Sequence, residues 1–416
     1  MDNVADLLAS RLTEELVRAL RAVGTAAEAA SVAPFLVGGS VRGALVDDQG
    51  TFDLDIALVG ADDATFARIA ELTGGRLSRR SQFGTAKLQL DSLEIDLAMA
   101  RAEDYPKPGS LPVVRSGTLE EDLSRRDFSV NAMAVSLCSE TWGDLVDLHE
   151  GLADLKQGRL RVLQENSFRD DPTRIVRAAR YASRLDLSPT AGTLESLLQS
   201  VGFLDSVSPA RIRNELDRVF LERDPSGAMN LLSDWNVLWS IHPCLEFHAD
   251  PWDGFATEAG ALPPQARTSL GYAILACGIT EADVNGLIAR LIPRASERRS
   301  IEDSATLGRM SATELVSFSN SSLARVLDPL AESAVLGVGM AKGGKLGCRI
   351  SQYVRSHRGL RPYLTGDSLI EMGVPRGPSV GSILKRLRNA WLDGEISTAS
   401  EEWALAKELA VEVAES

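Results

Sequence analysis

The 416-residue sequence is poor in the residues that build disulfide frameworks and metal clusters. It has four cysteines, Cys138, Cys244, Cys277 and Cys348, and no two of them form a CxxC pair, which argues against a disulfide frame and against a zinc site of ordinary spacing. Four histidines, His149, His242, His248 and His357, likewise show no metal-ligand spacing. Long apolar runs are missing: nothing approaches the ~20 residues that span a bilayer. The N-terminal stretch is acidic early and carries Val4, Leu8, Leu12, Leu16 and Leu20 at helical spacing, so it predicts an amphipathic helix over 1–23 rather than a signal peptide. Exact repeats and low-complexity tracts are also absent. Together these absences point to a cytoplasmic globular protein. The length suits two to four domains of roughly 100–150 residues each.

An excess of basic charge is lacking too. The net charge is −14, which by itself speaks against a nucleic-acid binder. Local charge says otherwise. Residues 159–184 hold seven arginines against Glu165, Asp170 and Asp171, and residues 342–388 hold ten Lys/Arg against Asp367 and Glu371. Such runs are as often plain solvated surface, so their meaning depends on the chemistry elsewhere.

That chemistry is concentrated near the start. Pro34–Val37 reads as a strand, Gly38-Gly39 as a turn, and Ser40 as the cap of a helix containing Val41, Ala44 and Leu45. Residues 51–59 alternate Phe52, Leu54 and Ile56 with Asp53 and Asp55, the pattern of a strand with both carboxylates on one face. Two carboxylates so close repel unless a cation lies between them, and Mg²⁺ suits hard oxygen donors that also admit phosphate oxygens. A DxD on a strand is common, and its plain alternative is a solvated face. The glycine turn and Arg42 immediately upstream sharpen it, because a helix N-terminus and a guanidinium both hold phosphates. Residues 83–100 form two further strand patterns. On the second, Asp96 is a candidate third catalytic carboxylate, with an exposed strand residue as the alternative.

After Leu152 helical patterns dominate, at 171–187, 191–201, 209–222, 225–239, 265–276, 312–326, 379–392 and 399–413. The Gly-, Pro- and Ala-rich segment 246–266 reads as a linker or insertion, and 246–340 carries no motif.

In this order, LVGGSVRGAL with FDLDIAL, EEDLSRRDFSVNAMAV (120–135), DLHEGLADL (147–155), FRDDPTRIVRAARYASRL (168–185) and SPARIRNELDRVF (208–220) resemble the motifs of the class II tRNA nucleotidyltransferase and bacterial poly(A) polymerase family. LTGDSLIEMGVPRGPSVGSIL (364–384) resembles the C-terminal segment of a bacterial branch. The resemblance implies an α+β fold: a polymerase-β-like head over 1–140, then an all-helical neck (141–205), body (206–340) and tail (341–416). It implies that Asp53 and Asp55 hold Mg²⁺, that Gly38, Gly39 and Arg42 hold the triphosphate, and that Arg126 and Asp127 bind the incoming nucleotide, Asp127 through the ribose 2′-hydroxyl. Arg177 and Arg180 also contact nucleotide on this reading.

Asp171 and Arg174, three apart on a predicted helix, read the base together. A carboxylate accepts from the exocyclic amino group of CTP or ATP while a guanidinium donates to the adjacent bare ring nitrogen; UTP and GTP present the opposite pattern. Arg211 and Glu215 brace the neck, and the basic tail contacts the tRNA backbone. The implied activity is addition of C and A to tRNA 3′ ends. The alternatives are CC-only, A-only or poly(A) addition, a small-molecule nucleotidyltransferase, or an inactive RNA-binding relic. One position departs from the family: Gly43 follows Arg42 where an acidic residue is usual, which would leave Arg42 less firmly held.

Overall fold

A computed structural model describes residues 3–45, 54–81 and 84–414. Its chain divides into two compact units, 1–215 with 234–240, and 216–233 with 241–416. Among the described residues no helix is long and apolar enough to cross a membrane.

The first unit is built on a seven-stranded mixed sheet. Its strands are β1 (Ala33–Val37), β2 (Leu54–Val59), β3 (Arg76–Ser81), β4 (Thr85–Leu90) and β5 (Leu93–Met99); a separate hairpin of β6 (Arg101–Asp104) and β7 (Val113–Ser116) intervenes before β8 (Ala134–Ser136) and β9 (Leu145–Val146) close the sheet. The spatial order is β3-β4-β5-β2-β1-β8-β9, with β2 and β5 parallel and every other neighbouring pair antiparallel. Leu54 and Ile56, named from sequence, supply the buried face together with Leu88, Ile95 and Leu97, all at most 2% exposed. The helices Glu14–Ala29 and Asp63–Thr73 bring Leu20, Val23, Phe66 and Ile69 to the same core.

Boundaries moved where capping chemistry outweighs periodicity. The helix expected over 1–23 is two helices, Ala5–Arg11 and Glu14–Ala29, because Thr13 caps the second by accepting from Leu16 N. The helix after the glycine turn starts at Gly39, so Ser40 is a buried residue of its first turn and not its cap. The helix expected over 171–187 runs from Thr173 to Arg184, with Pro172 just ahead of it. Ile175, Val176, Ala179 and Ala182 are its buried side, as their spacing predicts.

The second unit is all helical among its described residues. At its centre the helices Pro264–Leu275, Ala295–Gly308 and Glu332–Lys342 lie so close that a Cβ on Gly337 would come within 2.7 Å of Ala273 Cβ. The segment 246–266 is not a linker. It forms the short helices Asp250–Asp253 and Phe255–Ala259, whose Trp252 and Phe255 are buried; Trp252 stacks on Phe220, with ring centroids 5.9 Å apart. Its glycines and prolines obscured two core aromatics, each worth far more than local propensity. The helices Ala312–Ser317 and Asn320–Leu327 replace one expected helix, broken where Ser319 caps the second.

Candidate active site

Strand β1 delivers the chain into Gly38, whose φ of 72° favours glycine. A Cβ there would also stand 3.3 Å from Arg126 Nη1 and 3.7 Å from Asp55 Oδ2, so the turn brings backbone against a guanidinium and a carboxylate. Asp55 faces Asp96 in register across the parallel β2–β5 pair, which puts the two carboxylates side by side on one face. Asp96 also accepts from Lys87 at 3.1 Å, and Lys87 bonds Glu94. Asp53 lies outside the described residues.

Beside Asp55 the RRD segment is fixed by buried acids. Asp122 takes Arg125 at 2.7 Å and Arg126 at 2.8 Å; Glu103 takes Arg101 at 2.7 Å, Arg125 at 2.9 Å and the Tyr105 hydroxyl at 2.8 Å. Burial opposes ionisation of both carboxyls, but Arg126 with Arg125 for Asp122, and Arg125 with Arg101 for Glu103, hold them below the ordinary carboxylate range.

Asp127 is more tightly engaged. Its Oδ1 accepts from Phe128 N and Asn131 Nδ2, both at 2.9 Å, and its Oδ2 accepts Arg177 Nε at 2.9 Å and Nη2 at 2.6 Å. Burial alone would raise its pKa; Arg177 and Asn131 overcome that and lower it to about 2. The same pairing pushes Arg177 further above its ordinary value. Asn131 Oδ1 in turn accepts from Arg42, so a chain Arg42–Asn131–Asp127–Arg177 crosses the site. The guanidinium carbons of Arg42, Arg177 and Arg180 lie 5.2, 5.9 and 4.6 Å from the centroid of one ring, Tyr181. Arg42 is firmly held despite Gly43, by a carboxamide and an aromatic face instead of an adjacent acid.

Asp171 and Arg174 do not share a helical face. Asp171 has non-helical angles (φ −128°, ψ 89°) and precedes the helix Thr173–Arg184, because Pro172 restricts the residue before it to extended geometry. Its Oδ1 accepts from Thr173 N at 3.1 Å, Thr173 Oγ1 at 2.6 Å and Arg211 Nη2 at 2.6 Å. Arg211 also donates to Gly109 O at 2.7 Å, which ties Asp171 to the turn between β6 and β7. Arg174 donates from Nη1 to Ser167 Oγ at 2.5 Å and from Nη2 to Arg125 O at 2.7 Å. The two residues make no ion pair with each other; each is braced separately.

One cleft of about 410 Å³ is lined by Gly38, Gly39, Asp55, Arg126, Asp127, Asp171, Arg174 and Arg177. A neighbouring one of about 430 Å³ shares Asp55 and Arg126 and adds Asp96 and Lys87. Of the residues named from sequence, Arg42 and Arg180 line neither cleft and sit against Tyr181. Sequence reasoning passed over Asn131, Tyr181, Tyr105 and Glu103. Asn131 and Tyr181 stood inside motifs already quoted, and only the polarity of Asn131 between Val130 and Ala132 marked either of them. The hairpin carrying Glu103 and Tyr105 left no motif at all.

This constellation, carboxylates beside a glycine turn with arginines converging from a helix, suits a nucleoside triphosphate. The poly A polymerase head domain matches residues 34–161, and the region described as a probable RNA and SrmB-binding site of polymerase A matches residues 186–248. An A-adding tRNA nucleotidyltransferase of Halalkalibacterium halodurans is 31% identical over 98% of this chain and 96% of its own. A CC-adding tRNA nucleotidyltransferase of Deinococcus radiodurans is 30% identical over 88% of this chain and 87% of its own. A solved CCA-adding enzyme in complex with ATP superposes with a TM-score of 0.78 at 25% identity, over 96% of this chain and 95% of that one. The chain belongs to the tRNA nucleotidyltransferase family with a poly A polymerase head. Enzymes of this family use divalent metal.

Proposed function

We propose that the protein completes tRNA 3′ ends by adding C, C and A from CTP and ATP without a nucleic-acid template. The observation that carries this reading is that Asp171 and Arg174 border the same cleft as Asp55. The three bonds to Asp171 all end on Oδ1, which leaves Oδ2 to accept an exocyclic amino group. Arg174 uses two of its five N–H donors on Ser167 and Arg125 and keeps three for a ring nitrogen. CTP and ATP fit that pair; UTP and GTP set donor against donor and acceptor against acceptor.

The hard oxygen donors of Asp55, with Asp53 two residues before it and Asp96 alongside, suit Mg²⁺. Asp53 and Asp55 would hold Mg²⁺, which would neutralise the triphosphate and lower the pKa of the attacking hydroxyl. The RNA 3′-oxygen bonds to the α-phosphorus as the bond to the bridging oxygen breaks and pyrophosphate leaves. Gly38, Gly39 and Arg126 receive the triphosphate. Arg177, clamped by Asp127, lines the nucleotide cleft, while Arg42 and Arg180 shape that wall through Tyr181. Because all its lone pairs are engaged, Asp127 acts on the nucleotide through Arg177 and Asn131. The body and tail would hold the tRNA backbone, in a cytoplasmic setting.

A second reading, addition of A alone or of CC alone, is favoured by the full-length likeness to A-adding and CC-adding relatives. Incubation with tRNAs lacking CCA, ending in C or ending in CC, with each NTP alone and combined, separates these at single-nucleotide resolution. CCA addition requires growth by C, C and A and then a stop. Growth only from the CC end, or a stop at CC, assigns the narrower activity. No incorporation by the parent chain, or incorporation undiminished in Asp55→Ala, overturns the assignment.

A further inference from the structure

A second cluster of donors lies in the second unit, among residues with no part in the nucleotide site. His242 and Cys244 stand two apart in Ile-His-Pro-Cys, just after the helix Val237–Ile241. The His242 Nδ1 lies 2.9 Å from Cys244 Sγ and accepts from Cys244 N at 3.2 Å. The backbone N–H can only donate, so Nδ1 is the accepting nitrogen, the one with a lone pair to offer a metal. The far side of the ring is seated against the helix Glu281–Leu291: a Cβ on Gly286 would lie 2.5 Å from Nε2, so the glycine admits the ring.

The third donor comes from that same helix. Asp283 accepts at Oδ2 from Thr280 Oγ1 at 2.6 Å, and Thr280 also caps the helix, so the carboxylate is fixed before any ligand arrives. One donor atom from each of His242, Cys244 and Asp283 lies within 4.8 Å of the others. An open cavity of about 440 Å³ borders Cys244 and Asp283 and includes Glu246 and His248 on its wall.

We propose that His242, Cys244 and Asp283 form a Zn²⁺ site that clasps the segment after Val237–Ile241 to the helix Glu281–Leu291. One imidazole, one thiolate and one carboxylate are a zinc donor set, and a thiolate disfavours Mg²⁺. Bond lengths of roughly 2.0–2.3 Å place tetrahedral donors about 3.3–3.8 Å apart, so the N···S pair opens by roughly half an ångström to admit the ion. Binding forms the Zn–S, Zn–N and Zn–O bonds, breaks the Cys244 N–H···Nδ1 hydrogen bond because Nδ1 has a single lone pair, and releases the thiol proton to solvent. Three protein ligands leave a fourth position that faces the cavity, open to water. Spacing along the chain hid the site because Asp283 lies 39 residues beyond Cys244 and is brought in only by folding.

The test is titration of the full-length protein with Co²⁺ as a spectroscopic stand-in, with Mg²⁺ present to occupy oxygen-only sites. A thiolate-to-cobalt absorption saturating at one equivalent and bleached by Zn²⁺ is expected. It should vanish in Cys244→Ser, weaken at least tenfold in affinity in Asp283→Asn, and persist in Cys277→Ser and Asp55→Asn. Metal-free Cys244→Ser should keep the parent's circular dichroism, and Zn²⁺ should raise the thermal midpoint of the parent but not of this variant. If Cys244→Ser does not fold, Asp283→Asn with Gly286→Ala, which displaces the His242 ring, carries the test. No absorption in the parent, absorption surviving Cys244→Ser, or absorption lost in Cys277→Ser instead, overturns the proposal.

Discussion

Arginine serves opposite purposes in the two units. In the cleft of the first, arginines are clamped by buried carboxylates so that further N–H groups remain for a ligand: Arg126 by Asp122, Arg177 by Asp127. In the basic stretch 342–388 of the second, the half-buried arginines spend their donors on the fold itself. Arg349 donates to the carbonyls of Val316 and Phe318, Arg358 to those of Leu327 and Leu330, and Arg388 to Leu360 O and Asp328. The exposed cations of that stretch include Lys342, Lys345, Arg376 and Lys385. A run of positive charge in sequence is therefore not yet a nucleic-acid surface. What decides is whether each guanidinium is held by an acid that leaves donors over, or consumed by helix-end carbonyls.

The strongest way to break this contrast is Asp127→Ala. It leaves the half-buried Arg177 guanidinium without its carboxylate, which costs about 2–3 kcal/mol of stability. Incorporation should fall below detection, and the urea midpoint of the first unit should drop. Asp127→Asn retains two of the four bonds and should fall between. An unchanged midpoint would show that the clamp is dispensable. The same clamp sets an acid limit. Asp127 is lowered to about 2 from an unfolded value near 3.9, and Asp122 and Glu103 are lowered as well. Depressed carboxyls stabilise the fold fully above pH ~4, and that contribution is lost as pH falls towards 2, on the order of 2 kcal/mol for Asp127. Unfolding followed from pH 5 to 2 in parent and Asp127→Asn should show a steeper loss in the parent.

Next in size is Arg174→Ala. Losing one half of a bidentate reader should relax selection of CTP and ATP over UTP and GTP by about 1–3 kcal/mol, roughly 5- to 150-fold in kcat/KM ratios. Misincorporation assays with single nucleotides measure it. Asp171→Asn should relax the same ratio and also loosen the β6–β7 turn through Arg211.

How much of this was legible follows from the kind of signal involved. The core strands declared themselves by alternation, since Leu54 and Ile56 are buried and Asp55 faces out of that layer. Charge and spacing singled out Asp53, Asp55 and Arg42, whereas Arg126, Asp127 and Arg177 were named only through the family resemblance of their motifs. Asp171, expected on a helical face as a base reader, lines the cleft from an extended residue instead, because helical periodicity outweighed the restriction Pro172 imposes on its predecessor. Asn131 and Tyr181 escaped because neutral polar and aromatic side chains carry no charge pattern; their importance arises only when Arg42 and Asp127 converge on them. The helices Glu281–Leu291 and Ala295–Gly308 were not predicted, and the burial of Trp252 shows tertiary contact overriding glycine and proline punctuation.

In the second unit the expected effects are smaller and differ in kind. Arg388→Ala should cost about 1 kcal/mol in stability, because a partly exposed ion pair and two carbonyl bonds, to Leu360 and His357, are lost, with the apparent KM for CTP unchanged.

Smallest per residue is Arg376→Ala or Lys385→Ala, which should leave the thermal midpoint unchanged. Each removes one exposed cation, and if the stretch contacts tRNA phosphates the affinity for tRNA falls by a few-fold at low salt. More diagnostic is the slope of log affinity against log salt, which should shrink by about 0.7–0.9 per lost phosphate contact. Arg388→Ala serves as the reference: its donors are already consumed by Leu360 and Asp328, so its salt slope should match that of the parent. A slope altered by Arg388→Ala and untouched by Arg376→Ala would invert the division between structural and presented cations. It would mean that the helix-end bonds of Arg388 give way when RNA binds.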